Sequence, residues 1–381
     1  MAETPLLQRV GMRYMARRDK DLGASPQQVD SHRLDEAEQR ALLRIQWGLV
    51  GKSALLGALS GLVCALAELW ADANLAPAPD AGWRGALGYW AFLGSIIGVA
   101  SIVEVLLLYV ESLRAVQAIA RTTGTRLFVS AGETEPASPM SAALVRAALE
   151  LPNPPPEGYA IDPLREVSRW RALAVGLLYK AKIGLTSFLL KLIIRRALGR
   201  AALRMWLVFV GVPVTAFWNG LVAYIVIREA RLRAIGPSAA RRFCDLLDYD
   251  EGEARTARTA LIWRAVAATV VRTHELHPNV EAFMAALRED IGAPPTEKLD
   301  DTALFLEQLA AAPVQDQRQA LRALAVAAVL DGKTSGDERK LVRQVADVTG
   351  LAMPPRALAR LRRRFVGGKV LDATLLEALA P

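Results

Sequence analysis

Two long apolar runs decide most of what this chain can become. The first covers Trp47–Ala71 and the second about Leu87–Val110. A helix rises about 1.5 Å per residue, so runs of this length cross the ~30 Å of hydrocarbon in a bilayer. Inside lipid every backbone polar group must pair within the protein, which selects helices. Trp47 and Trp70 bracket the first run; Trp83, Tyr89 and Trp90 open the second and Tyr109 closes it. Aromatic rings at both edges are what interfacial anchoring predicts. The link Asp72–Ala86 carries Pro77, Pro79, Gly82 and a single basic residue, Arg84, whereas the other flanks are rich in arginine. Short-loop positive charge therefore places the N-terminus on the cytoplasmic side and the hairpin tip outside.

The rest of the composition agrees with a division between lipid and water. The chain is 52% hydrophobic and yet 23% charged, a combination that segregation of apolar from charged stretches explains. Cys64 lies in an apolar helix and Cys244 in a charged segment, so a disulfide framework is not expected. The formal net charge of +8 suits anionic lipid headgroups or an acidic partner. No nucleic-acid partner is expected, because the aromatic residues sit with apolar runs rather than among the basic ones. We find no glycine-rich phosphate loop, no nucleophile elbow and no metal-ligand cluster in the sequence; no residue is assigned as catalytic, and no enzyme is expected. His274 and His277 are one residue short of the H-E-x-x-H zinc signature, and Pro278 follows at once.

The chain reads as an all-α protein in five parts. Residues 1–46 form a cytoplasmic arm rather than a cleaved leader, with Arg9, Arg13, Arg17, Arg18, Lys20, Arg33, Arg40 and Arg44, helical in part from about Ser31. Residues 47–111 are the transmembrane hairpin. Residues 112–163 are a cytoplasmic linker containing a short capped helix from about Ser138 to Glu150. Residues 164–233 form amphipathic and membrane-embedded helices, and residues 251–381 a soluble helical domain.

Several residues of the hairpin invite a role. Gly57 with Gly61 and Gly94 with Gly98 are small-residue pairs at four-residue spacing, suited to close helix packing within the chain or between copies. Lys52, Glu68 and Glu104 are ionisable groups inside the apolar runs, each costing about 2.5 kcal/mol or more unless paired or hydrated. Antiparallel helices put Lys52 and Glu104 at similar depth, which predicts an ion pair. Snorkelling of Lys52 to the surface and an ion or proton path are the alternatives.

The middle is more ambiguous. From Leu164 to Arg204 apolar blocks alternate with basic residues, among them Arg195, Arg196, Arg200 and Arg204, a pattern suited to amphipathic helices on anionic headgroups. A further span within 172–194 stays open. Met205–Ile227 is apolar throughout, with Gly211 and Pro213 near its centre and Asn219 beyond. Both its flanks are basic, which favours a re-entrant or shallow hairpin bent at Gly211–Pro213 over a single crossing. The segment 191–243, with Arg195–Arg196, Gly199–Arg200, Val210-Gly211-Val212-Pro213 and Asn219, resembles the C-terminal part of EcsC-type bacterial proteins, although Gly211 precedes Pro213 here. That resemblance implies membrane association; the inner membrane of a bacterium is the expected location.

From about Glu251 the pattern predicts helices at Ala254–His274, Asn279–Ile291, Asp300–Ala311, Val314–Leu330, Ser335–Thr349, Pro354–Phe365 and Leu371–Leu379. Ser335 caps one of them, with Asp337 and Glu338 in its first turn, and Gly350 ends it. The stretch Ala323–Leu341, with Asp331-Gly332 and then Asp337-Glu338, resembles the core of TerB-like domains. A weaker echo runs from Arg264 to Glu281, where Thr273-His274 stands in place of Asp-Gly. The resemblance implies an acidic site, in which Asp331, Asp337 and Glu338 would offer oxygens to a hard cation, Ca²⁺ or Mg²⁺. The plainer alternative is that Asp331-Gly332 makes a turn and the other two acids serve the helix dipole. Together these readings predict a membrane-anchored scaffold or adaptor, homo-oligomeric and membrane-shaping, that presents its cytoplasmic domain to a protein partner. An oligomeric channel or transporter component, resting on Lys52, Glu68, Glu104 and Asn219, is the alternative.

Overall fold

A computed structural model describes residues 5–20, 32–76, 83–84, 86–125, 127–128, 139–151, 153, 159, 161–163, 165, 204–247, 255–295, 299–351 and 353–379. Among them the chain is all helical, with no strand. The helices are α1 (Leu6–Lys20), α2 (Glu36–Asn74), α3 (Leu87–Thr122), α4 (Pro139–Ala148), α5 (Arg204–Leu246), α6 (Arg255–Thr273), α7 (Pro278–Ile291), α8 (Thr302–Ala311), α9 (Val314–Leu330), α10 (Gly336–Thr349), α11 (Pro355–Val366) and α12 (Ala373–Glu377). They divide between two compact units: one takes Leu42–Ala118 and Trp170–Arg228, the other Met1–Ala41, Ile119–Arg169 and Glu229–Pro381.

The first unit is the apolar one. Helices α2, α3 and α5 are each long and apolar enough to cross a membrane. Their hydrocarbon side chains point outward: Leu55 is 60% exposed, Ile102 63% and Phe217 70%. Such surface is untenable in water and ordinary in lipid. The 39 residues of α2 extend for about 58 Å, well beyond the ~30 Å of hydrocarbon, so its apolar run is only part of one longer rod.

Helix α5 corrects an expectation. It runs without interruption through Gly211 and Pro213, so the chain does not bend into a re-entrant hairpin there. Proline removes one helical hydrogen bond, whereas a turn opened in hydrocarbon would strand several backbone groups. The glycines of α2 show how α5 packs. A Cβ at Gly57 would stand 2.6 Å from the Thr215 carbonyl oxygen, and one at Gly61 would stand 2.7 Å from Thr215 Oγ1. Absent side chains thus let the two backbones approach, and Thr215 Oγ1 donates to the Gly57 carbonyl at 2.8 Å. Gly94 and Gly98 on α3 have open space where their side chains would be. The two glycine pairs look alike in the sequence, and only the first is a packing seam among the described residues.

The second unit is built on α6 and α9, which pack along each other more extensively than any other pair of helices in it. Both are buried nearly all round, from Leu261 to Val271 and from Gln319 to Leu330, as the central helices of a packed core are. Trp263, Phe243, Phe283, Phe305 and Phe365 are the largest buried side chains around them. Caps fix the helix ends. Ser335 and Glu338 form a reciprocal capping box, and Gly350 closes α10 in the left-handed region at φ 70°. The unit draws its boundaries more widely than 251–381. Helix α4, from the expected linker, is buried at Ala143, Leu144 and Val145, and α1, from the expected arm, packs against it. The Leu34 amide donates to the Gly368 carbonyl at 2.9 Å, tying the start of the chain to its end.

Candidate functional site

Three polar clusters stand out, one in the apolar unit and two neighbouring groups in the soluble one. In the apolar unit Lys52 does not meet Glu104. Its ammonium donates to Glu111 Oε2 at 2.9 Å, and Arg114 donates to the other oxygen of the same carboxylate at 2.5 Å. Glu104 and Glu111 lie on one stripe of α3, two turns apart, so sharing a face did not decide the partner. Lys52 reaches the acid nearer the helix end, where its side chain stays 64% exposed and its charge remains hydrated. The deeper Glu104 instead accepts from Asn219 Nδ2 at 2.5 Å. Asn219 is 9% exposed, so this amide is spent on the carboxylate inside the apolar unit. Glu68 sits half-buried on α2. Of the four polar residues that the sequence marks in this region, the structure joins Glu104 to Asn219; Glu111 and Thr215 belong with them but carry no distinguishing motif.

In the soluble unit His277 organises the first group. Helix α6 ends at Thr273, and His274 follows in the left-handed region at φ 60°. His277 then caps α7. The two histidines therefore share no helix face, which removes the geometry of a helical zinc motif. The Asn279 amide donates to His277 Nδ1 at 3.2 Å. That nitrogen accepts, and the opposite ring nitrogen, Nε2, donates to Glu229 Oε1 at 2.8 Å. Arg233 Nε donates to the same oxygen at 2.9 Å. Asn279 Nδ2 meanwhile donates to the carbonyls of Leu232 (3.1 Å) and Leu330 (2.8 Å), pinning α5, α7 and α9 at one point.

The second group holds the three acids singled out in the sequence, and they do not act together. Asp337 faces solvent, its side chain 46% exposed, and pairs with Lys340 Nζ at 2.6 Å. Glu338 is 2% exposed; Oε2 accepts from the Ser335 amide at 2.5 Å, and Oε1 is buried with no hydrogen-bond partner. Burial is the main cause, with the negative charge of Asp331 adding to it, that pushes the Glu338 carboxyl up to about 7. Asp331 caps α9 and accepts from the Lys333 amide at 2.7 Å. Burial raises its carboxyl too, opposed first by the hydrogen bond from the Lys333 amide. Among the described residues no three His, Cys, Asp or Glu side chains are grouped so as to hold a metal ion. In this arrangement Asp337 faces solvent, Asp331 closes a turn and Glu338 completes a capping box.

Arg195, Arg196 and Arg200 lie outside the described residues, and Arg204 opens α5. Among the described residues Cys64 and Cys244 form no disulfide. No model of a known protein family, no curated protein and no solved structure matches the chain.

Proposed function

We propose that this protein is a membrane-anchored scaffold or adaptor of a bacterial inner membrane, with its N-terminal arm and its C-terminal helical unit in the cytoplasm. One observation carries the reading. A single chain combines an apolar unit, whose hydrocarbon side chains face outward on three helices, with a second unit that closes a core of its own. Lipid holds the first, which leaves the surfaces of the second free to bind protein partners. The resemblance to TerB-like domains around Asp331-Gly332 supports a binding module. The open stripe at Gly94 and Gly98 supports contacts between copies.

The makeup of the second unit supports this topology. Residues 1–41, 119–169 and 229–381 share one core, so they occupy one side of the bilayer. An even number of crossings between 41 and 119 accords with this, and α2 and α3 supply two candidates. The arginine-poor link at Arg84 assigns the shared side to the cytoplasm. A cysteine at Trp83 is expected to label from outside intact cells and one at the exposed Arg343 to stay protected.

A channel is the second reading, and the Glu104–Asn219 contact favours it, because an acid in the apolar unit marks ion paths as well as structural pairs. Reconstitution separates the two. A stable oligomer in nanodiscs with no ion or proton flux in liposomes supports the scaffold; flux that disappears with Glu104→Gln replaces it with the channel.

A further inference from the structure

Helix α1 presents two faces that ask for different surroundings. Gln8, Gly11, Met12, Met15 and Ala16 are buried, and this side packs against α4. At about 100° per residue, Leu6, Arg9, Val10, Arg13 and Arg17 fall together on the opposite side. Leu6 is 78% exposed and Val10 63%, and the three arginines are exposed beside them. None of the three forms a salt bridge to a described acidic side chain. A water-facing helix in a well-packed unit has no need of bare leucine and valine between unpaired arginines.

We propose that the outer face of α1 docks on the anionic headgroups of the bilayer, with Leu6 and Val10 entering the acyl boundary and Arg9, Arg13 and Arg17 binding phosphate. The combination selects this occupant. Arginines alone would suit any polyanion, but apolar side chains set among them gain only where hydrocarbon lies directly beneath the negative charge. The same chain is already held at a bilayer by its apolar helices, so the encounter is intramolecular and weak contacts suffice. The proposal rests on the membrane reading above and adds to it a second, reversible attachment that depends on lipid charge.

The test uses the full chain, with Cys64 and Cys244 replaced by alanine and Val10→Cys carrying an environment-sensitive fluorophore. Protein is assembled into nanodiscs of phosphatidylcholine alone, or with a third of phosphatidylglycerol. Emission is expected to shift to the blue only in the anionic discs, and lipids spin-labelled near the headgroup are expected to quench it. Each of Arg9→Gln, Arg13→Gln and Arg17→Gln is expected to lower the docked-to-free ratio about fivefold, as one cation near an anionic surface does. Circular dichroism of the glutamine variants, all at exposed positions, controls for folding. Water-like emission in both kinds of disc, or a blue shift indifferent to lipid charge and to the arginines, overturns the proposal while leaving the membrane reading intact. Failure to enter discs at all overturns both.

Discussion

Helices α3 and α6 are made of much the same apolar residues and treat them in opposite ways. On α3, Val99 and Ile102 are each 63% exposed; on α6, Trp263, Val266 and Val271 are wholly buried. Hydrophobicity alone did not decide this. In water the only apolar surroundings are other side chains, so α6 is wrapped by α8, α9 and α10. In lipid the surroundings are already apolar, so α3 gains little from turning inward. The helices of the apolar unit are held instead by close approach at glycine and by polar contacts, as at Gly57 with Thr215 and Glu104 with Asn219.

The comparison is most exposed to failure in the soluble core. The Arg258–Asp316 pair is 2.5 Å apart, with side chains 13% and 5% exposed. Asp316→Ala is expected to cost about 3–5 kcal/mol, read as a lower unfolding midpoint of the full chain in detergent. A loss below 1 kcal/mol would mean that water reaches this site and that the core is less closed than the burial of α6 implies.

Glu338 comes next, at up to about 3 kcal/mol from a folded value near 7 against an ordinary one near 4.5. The sign follows from the raised value. The folded state holds the proton more tightly, so the contribution is full below pH 4.5 and lost as pH rises through 7. Wild type is therefore expected to lose stability relative to Glu338→Gln across that window, measured as the difference between their midpoints. A flat difference would show the carboxyl to be solvated.

The apolar unit should respond to shape. Gly57→Val is expected to cost about 1–3 kcal/mol by forcing α5 away from α2, whereas Gly94→Val should stay within about 0.5 kcal/mol in monomeric protein. If Gly94→Val instead shifts the oligomer mass in nanodiscs, the open stripe of α3 is a contact between copies. A smaller effect than at Gly57 is expected at Asn219→Ala, about 0.6 kcal/mol, the usual worth of a side-chain hydrogen bond between membrane helices.

What the sequence disclosed follows the range of the forces involved. Helix ends in the last third were legible because local chemistry sets them: Val314–Leu330 appears as read, and Ser335 and Gly350 cap α10 as expected. The apolar runs were legible from length alone. Rotation and partner choice were not. Glu104 and Glu111 share a stripe, and only the full packing tells which one Lys52 reaches. The His277–Glu229 contact joins residues 48 positions apart, and its one local trace was a histidine standing directly before Pro278-Asn279 at a helix start. The basic flanks of 205–227 misled, because charge counting weighs where the ends lie and not the cost of opening a helix at Gly211–Pro213 in lipid.

The division of the soluble unit into three stretches has a consequence for how the protein is made. Its core needs residues before 41, between 119 and 169, and beyond 229. A ribosome delivers these in turn, with apolar helices emerging between them. The earlier pieces, α1 and α4 with their buried methionines and alanines, must therefore wait, incompletely covered, until the last third arrives. Insertion into the bilayer precedes closure of the core, and a nascent chain stalled before α9 would leave both fragments without the helix that most of the unit packs around.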